Sequence, residues 1–233
     1  MATRHVLADL AAVAADEGLP QLQIEAVGGV DAARRVREQE PFDLVFLAAG
    51  ALGKLAAEGH VDERTVAPLV VSSVAAAVAS ETTTAAERPD GIAFTDAAAM
   101  RDAIRTGGRI GYSTGPSGDA LVQMIAEWGL SDELGDRLVQ ARPGVPVAAS
   151  VAAGEVDLGF QQLSELVGQP GIRILGVLPP DRAIDTVFAG AVGAATSDGA
   201  RAHELLNAFT SGAADQVKRR HNFAVPPTGP RRG

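Results

Sequence analysis

The sequence predicts an α/β fold, because segments with strand and helix patterns alternate along the chain. The helical segments carry apolar residues every three or four positions, as residues 6–14 do. Several strand segments are short continuous apolar runs, such as residues 44–48, which is typical of strands covered on both faces. This alternation favours mostly parallel sheets whose strands are joined by crossover helices.

The composition limits the partners and the chemistry. The 233 residues allow one large or two small domains, and the net charge of −9 argues against binding nucleic acid. The chain has no cysteine, which excludes disulfides and zinc–thiolate sites. No apolar run is long enough to span a bilayer, so we expect no membrane insertion.

The N-terminal residues do not resemble a signal peptide, because Asp9 and then Asp16 interrupt any apolar stretch. We therefore expect a cytoplasmic protein for the chain as given. A periplasmic or extracellular address is expected if a signal has been removed.

The first third of the chain is expected to contain helices, strands and glycine turns. An amphipathic helix ends near Gly18, and the alternating segment from Gln21 to Val27 predicts a strand. After a glycine turn, Asp31 is expected to cap the next helix. Further strands are expected at residues 44–48, 69–79, 109–112, 139–142, 158–160, 172–176 and 187–193. Further helices are expected at residues 51–58, 96–106 (capped by Thr95), 119–128, 145–154, 164–168, 200–210 and 213–221.

The strand–loop–helix segment at residues 109–128 contains the main candidate binding site. Its loop is rich in small and hydroxyl-bearing residues, and such a loop points backbone N–H groups at one spot before a helix. That spot suits an anion. In the alternative interpretation Ser117 is only a helix N-cap and Gly115 only part of a turn. The candidate ligand contacts of this loop are Ser113, Thr114, Gly115, Ser117 and Gly118.

Three further groups are weaker candidates for ligand binding, and each has a structural alternative. Amide side chains after a buried strand can face a ligand or be satisfied within the fold. Residues that begin helices can offer backbone N–H groups or serve only as turns. Serines in a buried strand can reach a ligand or bond their own backbone. The amide side chains are those of Gln161 and Gln162. The residues that begin helices are Gly28, Gly29, Ala49 and Gly50. The serines in a buried strand are Ser72 and Ser73.

Other chemistry is not indicated by the sequence. The histidines show no metal-ligand spacing, so we expect no metal and no cofactor. No pair of carboxylates stands out for acid–base catalysis, and no catalytic residue is assigned. The basic residues Lys218 to Arg220 are expected to form a solvated helix end.

Four strings, taken in order, resemble the type II periplasmic solute-binding-protein fold, and its molybdate-binding branch in particular. They are Phe42 to Gly59, Arg88 to Asp90, Ile110 to Gly118, and Gly154 to Phe160. The likeness covers nearly the whole chain.

The resemblance implies two α/β lobes with a ligand cleft between them. The first lobe would comprise residues 1–79 and 187–233, and the second residues 80–186, with a loose tail at 226–233. In this family hydroxyls and backbone amides hold the anion. The implied partners are a small anionic ligand and an ABC permease.

Departures from the family pattern narrow the expected ligand. Glycines at 28 and 29 stand where the family has a serine, and glutamines at 161 and 162 stand where it has a tyrosine. The chain as given is expected to begin inside the first helix, without the family's opening strand and its serine. These changes favour a di- or tricarboxylate over molybdate. Residues 159–165 together with 114–118 resemble a sub-branch that includes aconitate isomerases. The expected function is binding of a small anion, preferably a carboxylate; the alternative is a cofactor-free isomerase of an unsaturated carboxylic acid.

Overall fold

The computed structural model describes residues 3–81, 84–89, 91–142 and 144–226. The chain divides into two compact units, Met1–Val71 with Val187–Gly233, and Ser72–Thr186. We call these the first and the second unit. The lobe boundaries expected from the sequence stay a prediction, and residues 227–233 of the expected loose tail lie outside the described residues.

Helices and strands alternate along the chain, and the predicted α/β class is confirmed. The strands are β1 (Leu44–Ala48), β2 (Ala67–Ala79), β3 (Ile110–Tyr112), β4 (Leu138–Gln140), β5 (Leu158–Gln162), β6 (Ile172–Val177) and β7 (Asp185–Val192). The helices are α1 (Arg4–Asp16), α2 (Gly29–Arg37), α3 (Ala49–Ala57), α4 (Ala97–Thr106), α5 (Pro116–Glu127), α6 (Ser131–Leu134), α7 (Val147–Ala152), α8 (Leu163–Leu166), α9 (Gly199–Thr210) and α10 (Asp215–Arg220).

The first unit packs its helices on the antiparallel pair β1–β7, in which Leu44 lies opposite Val192. One apolar cluster joins α1, α9 and the segment after α10, with Leu10 and Phe209 buried in it. A second cluster joins α2, α3 and β1 through Leu52 and neighbouring residues. The buried stripe of α1 is the one that its apolar periodicity predicts.

The strand predicted at residues 21–27 is wrong. This segment lies wholly within the described residues and forms no strand. Leu22 and Ile24 still pack against the α1–α9 cluster, and Arg35 holds Glu25 with 2.7 Å between the charged atoms. Alternation along a chain ensures one apolar face, but a strand also needs a neighbouring strand edge with free backbone groups.

The second unit contains a mixed sheet, which departs from the expected mostly parallel arrangement. β3 pairs in parallel with β4 and β5, whereas β2 pairs antiparallel with β5 and β6. The antiparallel pairs arise because the long strand β2 carries the chain from the first unit into the second and runs beside β5.

The core of the second unit has two layers, one on each face of this sheet. Phe160 belongs to the cluster of α4 and α5, whereas Ala75 and Ala77 belong to the cluster of α7. Helix α7 packs closely on the sheet because glycines at 111 and 159 leave room: an added Cβ would lie 3.2 Å from the Val147 side chain at Gly111 and 2.8 Å from it at Gly159. Successive side chains of a strand face opposite sides, which separates the two layers.

Three helix starts differ from the sequence-based expectation. Asp96, and not Thr95, caps α4, because its carboxylate accepts a hydrogen bond from the Ala99 N–H at 2.8 Å. Asp31 lies in the first turn of α2, whose N-cap is Gly28. Helix α5 begins three residues earlier than predicted, so Ser117 lies inside it. Caps depend on where the chain turns, which local composition alone locates within a few residues.

Lys218 is not part of a solvated helix end. Its side chain is buried, and its Nζ lies 3.5 Å from Asp215 Oδ1. Burial lowers the pKa of the Lys218 ammonium, and the attraction of Asp215 offsets part of this effect. Arg219 and Arg220 are exposed, as expected.

No helix within the described residues has the length and apolar character that a membrane crossing requires.

Candidate functional site

Several candidate residues of the second unit meet at one edge of its sheet. β3 and β5 are parallel neighbours with Tyr112 opposite Phe160, so the segments that follow both strands leave from the same edge. In the antiparallel pair β2–β5, Val74 lies opposite Gln162, which places the residues before Val74 at this edge as well. We call this region the β3–β5 edge; it comprises Ser72, Ser73, Ser113 to Gly118, Gln161 to Ser164, and Thr186.

The loop before α5 has the geometry of an anion site. The Ser113 and Ser117 hydroxyls lie 3.1 Å apart and share a hydrogen bond. The N-cap is Gly115, with φ of 95°, and no side chain within the described residues caps the helix. The interpretation of Ser117 as an N-cap is therefore wrong. Within the part of the chain that the structure describes, no side chain accepts a hydrogen bond from the first-turn N–H groups of α5, which suits a bound anion.

The two glycines of this loop have different structural roles, and Thr114 lies between β3 and the first of them. Thr114 is exposed. A Cβ at Gly118 would lie 1.8 Å from the Ser113 carbonyl oxygen, so glycine is required for α5 to pack against the end of β3. Gly118 therefore allows close packing between α5 and the end of β3. Gly115, with its positive φ, lets the chain change direction at the start of the helix.

Gln161 is satisfied within the fold. Its Oε1 accepts a hydrogen bond from the Ala148 N–H at 3.3 Å, at the start of α7, and its Nε2 donates to Glu165 at 2.8 Å. The side chain is only 5% exposed. The amide thus joins α7 to α8, which is the structural alternative considered for this residue.

Gln162 differs from its neighbour, because only one end of its amide is bonded. Nε2 donates to Thr186 Oγ1 at 3.0 Å, whereas Oε1 is buried without a hydrogen-bond partner within the described residues. The residue is 6% exposed. Most buried polar atoms in folded proteins are paired, so this unpaired oxygen is a candidate partner for a ligand group.

Serines complete this part of the β3–β5 edge. Ser72 is fully buried, and its hydroxyl lies 3.5 Å from that of Ser164 in the first turn of α8. Ser73 is half-buried. Sequence reasoning missed Ser164 and Thr186, because their proximity to the candidates depends on strand register, for which no local signal exists.

The remaining candidates lie in the first unit. Gly28 is the N-cap of α2, and Ala49 and Gly50 begin α3; no side chain within the described residues caps either helix. A Cβ at Gly29 would lie 3.9 Å from the Leu47 side chain, so the start of α2 lies beside the end of β1. The two helix starts are therefore neighbours within the first unit.

The charged groups near the β3–β5 edge are few. Asp119 lies exposed in the first turn of α5, and Glu165 is held by Gln161. The clear pKa shifts occur elsewhere: hydrogen bonds from Arg35 lower the pKa of Glu40 in the first unit. Among the described residues, no cluster of histidine and acidic side chains could hold a metal ion.

Comparison with known proteins identifies the family. A family model described as bacterial extracellular solute-binding protein matches residues 1–224. The chain belongs to this family. An aconitate isomerase from a Pseudomonas species is 32% identical over 177 residues. That alignment covers 76% of this chain and 65% of the relative, so the chain spans slightly less than two thirds of its length.

Solved structures show the same fold. The substrate-binding domain of a putative molybdenum ABC transporter from Clostridium difficile has a TM-score of 0.72 and 16% identity, covering 96% of this chain and 94% of that one. The periplasmic molybdate-binding protein of Azotobacter vinelandii has a TM-score of 0.71 and 17% identity, covering 96% of both chains. This solute-binding protein therefore has the two-lobed type II periplasmic-binding-protein fold, as expected from the sequence.

Proposed function

We propose that this solute-binding protein binds a small carboxylate anion at the β3–β5 edge of its second unit. The observation that carries the proposal is the start of α5, a helix without a side-chain cap within the described residues: a positive-φ glycine precedes it, and Ser113 before it is hydrogen-bonded to Ser117 in its first turn. The helix dipole and the free N–H groups together stabilise a negative charge without a basic side chain. Ser113 and Ser117 supply hydroxyl donors beside them.

A carboxylate is favoured over molybdate by the groups that surround this loop. Gln162 and Ser164 lie beyond the loop at the same edge, where they can contact a second polar group of a ligand larger than a tetrahedral oxyanion. The relative named as an aconitate isomerase adds support for a tricarboxylate. The helix starts at Gly28 and Ala49 in the first unit are proposed as further anion contacts.

We further propose that an ABC permease receives the ligand, and that the protein works outside the cytoplasm. Both follow from membership of the extracellular solute-binding family. Pull-down of an ABC permease with this protein as bait, with and without ligand, would test the partnership.

The binding proposal is tested by thermal unfolding with citrate, trans-aconitate, molybdate and sulfate at millimolar concentrations. A ligand at 100 times its Kd stabilises the folded state by about 2.7 kcal/mol, so a bound carboxylate should raise Tm by several degrees. Ser113→Ala should weaken this shift. The matched control is Ser150→Ala, whose hydroxyl bonds Glu155. If neither citrate nor trans-aconitate raises Tm, the proposal is wrong.

The alternative function is a cofactor-free isomerase, and the relative named as an aconitate isomerase favours it. The reaction would remove a proton from a carbon next to a carboxylate and return one at the far end of the allylic system, which moves the double bond. The α5 start would stabilise the enolate-like charge. Glu165, held by Gln161 at the same edge, is the proposed base.

Incubation with trans-aconitate in deuterated water, followed by NMR, separates the two functions. An isomerase incorporates deuterium and forms the cis isomer, and Glu165→Gln should stop this reaction while leaving binding intact. A protein that binds trans-aconitate without exchange is a binding protein only.

A further inference from the structure

The two adjacent glutamines of β5 differ in how their side-chain amides are hydrogen-bonded. Gln161 makes two hydrogen bonds that join α7 and α8, so both ends of its amide are bonded within the fold. Gln162 is equally buried, but only its Nε2 is used, by Thr186. Leaving a buried carbonyl oxygen unpaired costs about 1–3 kcal/mol. The fold therefore keeps Gln162 in an arrangement that a bound donor would complete.

In the structure, the Gln162 amide turns its nitrogen towards the Thr186 hydroxyl. The hydrogen bond between Nε2 and Thr186 Oγ1 is 3.0 Å long, and it leaves Oε1 as the free group. A carbonyl oxygen accepts hydrogen bonds and donates none. It repels a carboxylate oxygen, and it attracts a hydroxyl.

The strand register places Gln162 near the anion loop. Tyr112 and Phe160 are opposite residues of adjacent strands, and such strands lie about 4.8 Å apart. Ser113 and Gln162 follow these two residues by one and two positions. A ligand the size of a dicarboxylate or tricarboxylate can place one carboxylate at the start of α5 and a second group at Gln162.

We propose that Gln162 is a specificity-determining residue that selects carboxylates carrying a hydroxyl group. The ligand's hydroxyl donates to Gln162 Oε1, while its carboxylate occupies the start of α5. This inference rests on the proposed carboxylate binding and adds the class of carboxylate that the site prefers.

Two pairs of ligands that differ only by a hydroxyl test the proposal: citrate against tricarballylate, and malate against succinate. Affinities are measured by isothermal titration calorimetry at neutral pH. Wild-type protein should bind the hydroxylated member of a pair about tenfold more tightly, since the unhydroxylated member leaves Oε1 unpaired. Gln162→Leu should abolish this preference. Thr186→Val should reduce it, because the amide is then free to rotate.

Gln123→Leu is the matched control, because Gln123 is exposed on α5 and its Nε2 bonds Glu127. This variant should keep the wild-type preference. Gln162→Met provides a second variant if the leucine variant does not fold.

The outcomes separate this inference from the proposed function. Equal affinity for both members of a pair, or a preference that survives in the Gln162 variants, overturns the inference and leaves carboxylate binding standing. Failure of all four carboxylates to bind overturns both.

Discussion

Lys218 is the residue whose environment differs most from what its type predicts. A lysine near the end of a helix usually extends into water, where it favours the helix dipole. Here the side chain is fully buried, and Asp215 is its hydrogen-bond partner at a long 3.5 Å. A weakly paired buried charge contributes little to stability, because desolvation offsets the attraction.

Lys218→Met should therefore raise the free energy of unfolding at pH 7, by roughly 1–3 kcal/mol. The gain should shrink as the pH rises. The pKa of Lys218 is lower in the folded than in the unfolded state, so the folded wild type loses its proton first and its stability rises with pH. Urea unfolding between pH 7 and pH 10 measures both effects.

Lys54→Met is the control, because Lys54 is exposed on α3. It should change stability by less than about 0.5 kcal/mol. A Lys218 variant that is less stable than wild type at pH 7 would show that the ammonium is well solvated or better paired than the structure indicates.

At the scale of elements, glycine within a helix can mark either a weak point or a tight contact. Gly118 in α5 is a contact, because a Cβ there would overlap the Ser113 carbonyl oxygen. Gly53 in α3 has no such neighbour: an added Cβ would meet nothing within 4 Å among the described residues. Both glycines lie in helices, and only the packing around each one shows whether a side chain would fit there.

Gly118→Ala should lower the free energy of unfolding by about 1–3 kcal/mol, since α5 must move away from β3 to admit the methyl group. Gly53→Ala should raise it by roughly 0.5–1 kcal/mol, because alanine has the higher helix propensity. Thermal or urea unfolding of both variants provides the comparison. Equal effects of the two substitutions would contradict the packing of α5 described above.

At the scale of the whole molecule, each compact unit has apolar clusters of its own. The clusters around α1, α9, α2 and α3 contain residues of the first unit, whereas those around α4, α5 and α7 contain residues of the second. The second unit is one continuous stretch of chain, and the first is built from the two ends. One continuous segment of chain therefore contains the whole second unit, whereas the first unit needs both ends of the chain.

A fragment of residues 72–186 should fold by itself, because its core is complete. A fragment of residues 1–71 should not, because it lacks α9 and β7. Circular dichroism and thermal unfolding of both fragments test this difference. An unfolded 72–186 fragment would show that its core depends on the rest of the chain.

By itself, the sequence determined the α/β class and the positions of most elements. Apolar runs such as β1 and helical stripes such as that of α1 are local patterns, and burial follows directly from them. The string from Ile110 to Gly118 likewise indicated a strand, a turn and a helix start that suits an anion. These features depend on neighbours along the chain.

The tertiary structure decided what depends on neighbours in space. Residues 21–27 found no strand edge to pair with, and Lys218 was buried by packing that its own sequence does not encode. The roles of Gln161 and Gln162 diverged because one faces the start of α7 and the other Thr186. Register and packing set such partners, and no local pattern specifies them, because the partner residues lie far apart in the chain.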